Sequence, residues 1–544
     1  LCNFFMRVVA IVFVSFYFIV AHVQCSSVEK YNNHLATKVS VADLQQDVDY
    51  VEHKLNKLHP SLDWYISKGY LANKFDSLRT TITQPLTPNE FFFKISPVVA
   101  SVKQGHMGMM PLVQKTEKKE RKALAKKGKN PLALLTFKYY DDALYLDKNY
   151  TKDSLLVSGS KIISVADMKP EELLQKYKST YTSDGLNTTF LSHGFASRFT
   201  TYLVAEKEIS DSIHFVLQYK DSIYERILAR STPVKNDSLI AKKDSIAPVK
   251  IVLTKLEKAQ KKKEAKIERK KNSYFLYSPL TKDFTRNLSY FPNDSTVAVL
   301  KIKGFKHSHH KKAYDSIFNE IQQNKVKTLV LDLRNNGGGS LAEIHNLYSY
   351  LAPEPFVFID TVKVTNRTGV ATNRLRAIPL VGKIVLSPYI LYTSVKGIVS
   401  VKKGKNNEYY LFNKQTKLTQ PKPNRFDGQL FVLINGGSFS ASCILSSNLK
   451  SANRATFIGE ETGGTYNGTV AGTMPVLTLP NSKLKVRVGL QKIAATGKTT
   501  EFGRGIMPDV TIIETPEQII DQSDPHIEWI QHHLKTQHKT VNKI

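Results

Sequence analysis

The stretch QLFVLINGGSFSASCILSSNLKSANRATFIGEETGG, residues 429–464, decides how the rest of the chain is read. LFVLIN is a short apolar run rich in β-formers, Gly436 and Gly437 break it, and SASCILSSNL places Ile444, Leu445 and Leu449 at helical spacing. The pattern is strand, tight turn, helix, strand, with a serine exposed at the turn. The first turn of a helix leaves backbone N–H groups without acceptors, the arrangement that acyl transfer needs to hold an oxyanion. Ser440 is therefore a candidate nucleophile. The local pattern equally allows Ser438 or Ser440 to be a helix N-cap and nothing more.

Composition bounds the answer. A chain of 544 residues is too long for one ordinary core and predicts two or three domains. Its net charge of +30 would suit an anionic partner, but two runs hold much of it. Residues 115–129 carry eight basic and two acidic side chains, and residues 255–271 carry nine and three. Both read as solvated surface or linker, with an anionic surface as a possible partner and no specific nucleic acid. From Met6 and Arg7 the chain continues VVAIVFVSFYFIVA, an apolar run of signal-peptide length, and then HVQCSSVEK. Residues 1–25 are expected to be a signal peptide or a lipoprotein signal with Cys25 as the lipidated residue. The protein is accordingly expected to be exported, periplasmic or associated with the cell envelope, with membrane association through an N-terminal lipid or anchor. Of three cysteines only Cys443 lies beyond this segment, so no internal disulfide is expected.

Residues 39–112 read as an N-terminal helical domain ending in QGHMGMMPL, where His106 sits between glycines and methionines on a loop. Residues 131–230 alternate like strands around one helix, PEELLQKYKST, with further strands expected over 187–230. Residues 231–272 are polar, proline-punctuated and basic, and read as a linker. From 273 to 535 a βαβ pattern appears: TVAVLKIKGF, KKAYDSIFNEIQQ and KTLVLDLR, then DLRNNGGGS and a further helix. GGGS lacks the lysine and the spacing of a phosphate loop. His307, His309 and His310 have no carboxylate or cysteine at metal-ligand spacing, so no metal is expected there. Residues 352–428 form an insertion with strand-like and basic pieces that the pattern does not place.

Taken together, NGGSFSAS, FIGEETGG, DLRNNGGGS, the Gly-His at 105–106 and the closing TGKTTEFGRGIMPDVTI resemble the motifs of the C-terminal-processing and tricorn-like serine peptidases, in family order. The resemblance implies an α/β fold: a crotonase-like catalytic core with an N-terminal helical segment and a PDZ-like β-rich insert. GSKIISVADMKPEELL resembles the PDZ signature, with Ala166 and Asp167 where Asn-Gly is usual. It further implies Ser440 as nucleophile, His106 as general base, Glu501 as the acid of the charge network, and the amides of Gly338 and Ala441 as oxyanion hole. Glu501 stands four residues before Gly505, where the family pattern puts the acid three before. The lysine that serves as base in the processing branch is replaced by Thr465, which points to the histidine branch. No cofactor is implied, and the partners are protein or peptide substrates. A histidine base of ordinary pKa predicts activity rising with pH through roughly 6–7.5. The rival reading is a ligand- or envelope-binding protein without activity on the same fold.

Overall fold

The computed structural model describes residues 27–541, apart from 210, 232–253, 293, 378–386 and 522. The expected signal segment, 1–25, lies outside the described residues.

Six strands lie side by side in the order in which the chain makes them: Arg286–Phe291, Asp294–Ile302, Thr328–Asp332, Gln429–Ile434, Thr456–Gly459 and Val510–Thr511. The first pairing is antiparallel and the rest are parallel. Parallel strands need crossovers, and helices His310–Gln323, Leu341–Tyr348 and Ala441–Ser451 lie within them. The two central strands are apolar almost throughout because both faces are covered. Leu430, Val432 and Ile434 meet Ala441, Ile444 and Leu445 in one core cluster. Phe431 and Leu433, pointing the other way, join Val330, Ile458 and Ile530 of the C-terminal helix Pro525–Val541. Asp332 pairs with Leu433, so the loops that follow the two strands leave the same end of the sheet next to each other. The crevice outside the carboxyl ends of parallel strands is where α/β proteins build sites.

A second sheet of five strands combines Val401–Lys403, Tyr409–Leu411 and Ile359–Val364 from the insertion with Gln491–Ala495 and Gly468–Ala471. The insertion also carries helices Gly369–Ala377 and Ser387–Val399. The N-terminal region is helical: Val28–Ala36, Val41–Leu58, Lys68–Thr81 and Pro88–Ala100, three of them N-capped by Ser27, Ser40 and Ser67 and the last by a Thr87–Glu90 capping box. Strand Gly108–Met110 then pairs antiparallel with Lys485–Arg487, which ties the helical region to the end of the chain.

Residues 135–229 form a third sheet in the order Leu135–Tyr140, Ala143–Asn149, Lys161–Val165, Ser212–Tyr219, Ser222–Ala229. Of the range 187–230, where further strands were expected, Ser212–Tyr219 and Ser222–Ala229 are strands, but the chain first makes the helix Thr189–Glu206. Its aromatic and β-branched residues favour a strand locally, but Phe195, Phe199, Tyr202 and Leu203 fall on one helical face and are buried, and that packing decides. In the second half of the basic linker the helix-prone KLEKAQKKKEAKIERKK forms part of a continuous helix, Lys255–Phe275, with a Thr254–Glu257 capping box. Among the described residues no helix is long and apolar enough to cross a membrane.

Candidate active site

Ser440 stands where strand Gln429–Ile434 has ended and helix Ala441–Ser451 begins, with φ 58° and ψ −114°. Such angles suit the first central residue of a type II′ turn, a position that glycine usually fills. A serine held there stores roughly 1–3 kcal/mol of backbone strain, offset by its surroundings. The turn is fixed from below. Ser438 Oγ donates to Leu333 O at 2.8 Å, Ser442 Oγ donates to Asn336 O at 2.7 Å, and Phe439 N–H donates to the same carbonyl at 3.0 Å. Three consecutive hydroxyl-bearing positions are thus told apart: two are buried struts and only Ser440 presents its oxygen to the crevice.

His106 Nε2 lies 2.9 Å from Ser440 Oγ. The imidazole leans on the Phe439 ring, 4.8 Å between centroids, and Arg487 Nε donates to His106 O at 2.7 Å. Gly105 has to be a glycine, since a Cβ there would come within 2.7 Å of the Phe439 ring. On its far side His106 Nδ1 is 3.1 Å from Thr469 Oγ1, and that hydroxyl donates to Asp184 Oδ2 at 2.9 Å. A hydroxyl carries one proton. Because Thr469 gives its proton to the carboxylate, its oxygen accepts from Nδ1–H, which leaves Nε2 free to accept from Ser440. Asp184 Oδ1 is occupied as well, accepting from Gly105 N–H at 2.7 Å. Burial pushes the Asp184 carboxyl up to about 6 against those two hydrogen bonds, and burial with the Arg487 guanidinium pulls His106 down to about 3. The resting pair at neutral pH is an ionised aspartate and a neutral imidazole.

Glu501 is not part of this chain of bonds. It is exposed on a turn, where its backbone N–H donates to Thr499 Oγ1 and its carbonyl accepts from Arg504 N–H. The closing segment braces a different residue: Glu461 accepts from Arg504 Nε at 3.0 Å and from Gly505 N–H at 2.7 Å. The carboxylate that reaches the histidine comes instead from the third sheet's connecting loop, through a threonine on strand Gly468–Ala471. Neither Asp184 nor Thr469 belongs to a motif; the only sequence sign is the run Ser183–Asp184–Gly185, an ordinary turn.

Ala441 is the first residue of its helix, and its N–H has no acceptor among the described residues. Gly338 packs directly beneath: with φ 96°, a Cβ on it would fall 2.7 Å from Ala441 N and from Ser440 Cβ. Its own N–H, however, donates to Asn336 Oδ1 at 2.9 Å, so of the two expected amides only that of Ala441 is open. Gly338 O accepts from Phe305 N–H at 2.9 Å. Across that planar trans peptide the N–H of Gly339 faces away from Phe305, and it has no acceptor among the described residues. Thr465 is turned elsewhere, its hydroxyl donating to Gly468 O at 2.6 Å and lying 3.1 Å from Tyr65 OH. Cys443 is a buried thiol pushed up to about 12, a packing residue and not a competing nucleophile.

A cavity of about 440 Å³ runs between strand Leu135–Tyr140, at the edge of the third sheet, and helix Thr189–Glu206. Its inner end is formed by Asn335, Gly337 and Gly437 of the two catalytic loops.

Comparison with known proteins gives three findings. Residues 296–512 match the model of peptidase family S41. Among solved structures, the chain is similar to mature CPAF complexed with lactacystin, at 15% identity over 93% of this chain and 99% of that one, with a TM-score of 0.59. Mature CPAF alone gives 15% identity, 90% and 96% coverage and a TM-score of 0.56. At such identity these two show a shared fold. No match was found among curated proteins.

Proposed function

We propose that this serine peptidase, whose residues 296–512 match the model of peptidase family S41, is an exported endopeptidase of the tricorn-like branch, with Ser440 as nucleophile, His106 as general base, and Thr469 and Asp184 orienting the imidazole. The observation that carries the proposal is the 2.9 Å contact of Ser440 Oγ with His106 Nε2 at a strained turn over a parallel sheet. Attack on a peptide carbonyl transfers the serine proton to Nε2. The imidazolium that results keeps Nδ1–H on Thr469, whose proton stays directed at the Asp184 carboxylate. The new oxyanion is received by the Ala441 amide, with Gly339 as its partner donor; Gly338 contributes the close approach of the backbone. His106 then protonates the leaving amine, and water repeats the sequence on the acyl-enzyme.

The parallel sheet with the nucleophile helix supports a crotonase-like core. The edge strand and helix that wall the cavity support a PDZ-like insert, in which an extended peptide adds to Leu135–Tyr140 and its continuation reaches Ser440. Export and envelope association rest on the apolar run before Cys25 alone. Hydrolysis of an unstructured protein substrate, followed by mass spectrometry of the fragments, tests the activity. Internal cleavage by the wild type that is absent in Ser440→Ala is expected, and equal cleavage by both would refute it.

A further inference from the structure

Helix Ser387–Val399 leaves a broad apolar face in water. Its small residues Thr393, Ser394 and Gly397 are half-buried, and the helix packs on Gly369–Ala377. Ile390 and Ile398 are half-buried with them, but four large apolar residues look outward: Leu391, Tyr392, Val395 and Val399 are 66%, 61%, 51% and 71% exposed. Spacings of three and four put them on one face. Phe412, 48% exposed, extends the patch, since its N–H donates to Ser400 O at 2.8 Å. Isolated exposed apolar residues are ordinary, but five large ones in one place mark an interaction surface.

The charge around the patch selects the partner. Residues 387–420 contain six lysines and one acidic residue, Glu408, whose carboxylate is held by Lys363 Nζ at 2.6 Å. Lys396 lies on the helix, and Lys402, Lys403 and Lys405 follow directly, all exposed. A second copy of this chain would bring the same positive charges to the contact and be repelled. A purely anionic polymer would satisfy the lysines and leave the apolar residues wet. Only an anionic bilayer offers negative headgroups and an apolar phase a few ångströms below them. At about 20 Å the helix is too short to span the ~30 Å hydrocarbon core, so it would lie in the interface.

We infer that the face formed by Leu391, Tyr392, Val395, Val399 and Phe412 with its surrounding lysines docks the enzyme on an anionic lipid surface, separately from any N-terminal anchor. The inference does not depend on the peptidase reading. It is tested with the full chain by co-sedimentation with vesicles of phosphatidylcholine, with and without phosphatidylglycerol. Two triple variants are compared: Leu391→Ser with Val395→Ser and Val399→Ser, and Lys402→Gln with Lys403→Gln and Lys405→Gln. The wild type should partition at least tenfold more strongly onto the anionic vesicles, less so as salt is added. Each triple variant should lose that preference by tenfold or more, with turnover of a short peptide within twofold of the wild type as the check on folding. Wild-type partition in either variant would overturn the inference, by showing that the N-terminal run or another lysine cluster does the binding. So would self-association of the wild type in lipid-free solution that the apolar triple abolishes.

Discussion

At the scale of single residues the site separates groups that look alike. Ser438 and Ser442 donate to Leu333 O and Asn336 O, and only Ser440 faces His106. Ser440→Ala should therefore remove several orders of magnitude of activity, whereas Ser438→Ala and Ser442→Ala each cost about 1 kcal/mol of stability and leave turnover measurable. Thermal melts beside peptide assays check this. The relay makes a second prediction, on pH. Asp184 is raised to about 6, so its contribution to stability is present at low pH and is lost as pH rises from the ordinary carboxylate range through 6. His106 is lowered to about 3, so its contribution is full above the ordinary 6.5 and is lost as pH falls. Between those values the two oppose each other. Activity needs Asp184 ionised and should fall below about pH 6 without a matching loss of stability; the limb should move down by a unit or more in Asp184→Asn, with turnover reduced roughly 10²-fold at neutral pH. An unchanged limb in Asp184→Asn would return the titration to His106. Glu501→Gln, by contrast, should stay within twofold of the wild type in the same assay. Ser440 and His106 are legible in sequence because each sits inside a short motif. Asp184 and Thr469 are not, because a relay assembled from two loops and a strand has no spacing to read, and a closing motif does not reveal which carboxylate folds back onto the histidine.

At the scale of elements, local pattern and tertiary packing agree over the sheet and disagree at its accessories. LFVLIN and KTLVLDLR read as strands and are adjacent strands, because apolar runs covered on both faces leave little choice. TFLSHGFASRFTTYLVAE, the first part of the range expected to hold further strands, is a helix, since its burial against the third sheet outweighs its propensity. That helix forms one wall of the cavity that reaches Asn335, Gly337 and Gly437, with Ala196, Ser197 and Thr200 lining it. Ser197→Trp should obstruct the groove. KM for a long peptide is expected to rise about tenfold or more, with turnover of a short activated ester nearly unchanged, and steady-state kinetics on both substrates checks it. Equal loss on both would mean that the groove serves the catalytic loops and not the substrate.

At the scale of the molecule, the groups of the proposed site come from regions far apart in the chain: His106 from the end of the helical region, Asp184 from a loop between two helices of the third-sheet region, Thr469 from the second sheet and Ser440 from the end of the parallel sheet. The helical region and the third sheet share one buried apolar cluster, the parallel sheet has another, and Leu186 N–H to Gly503 O and Asn187 Nδ2 to Thr462 O bridge the two. Few polar contacts across such junctions yield before a buried core does. Reaction of Ser440 with a fluorophosphonate should accordingly disappear at a urea concentration below the midpoint for loss of far-ultraviolet circular dichroism. The same reagent gives the most direct test of the catalytic assignment, through the site and rate of labelling read by intact-protein and peptide mass spectrometry at neutral pH. A single adduct on Ser440 is expected, formed at least a hundredfold more slowly in a folded His106→Ala variant. An adduct on another residue, or His106→Ala labelling as fast as the wild type, would contradict the account.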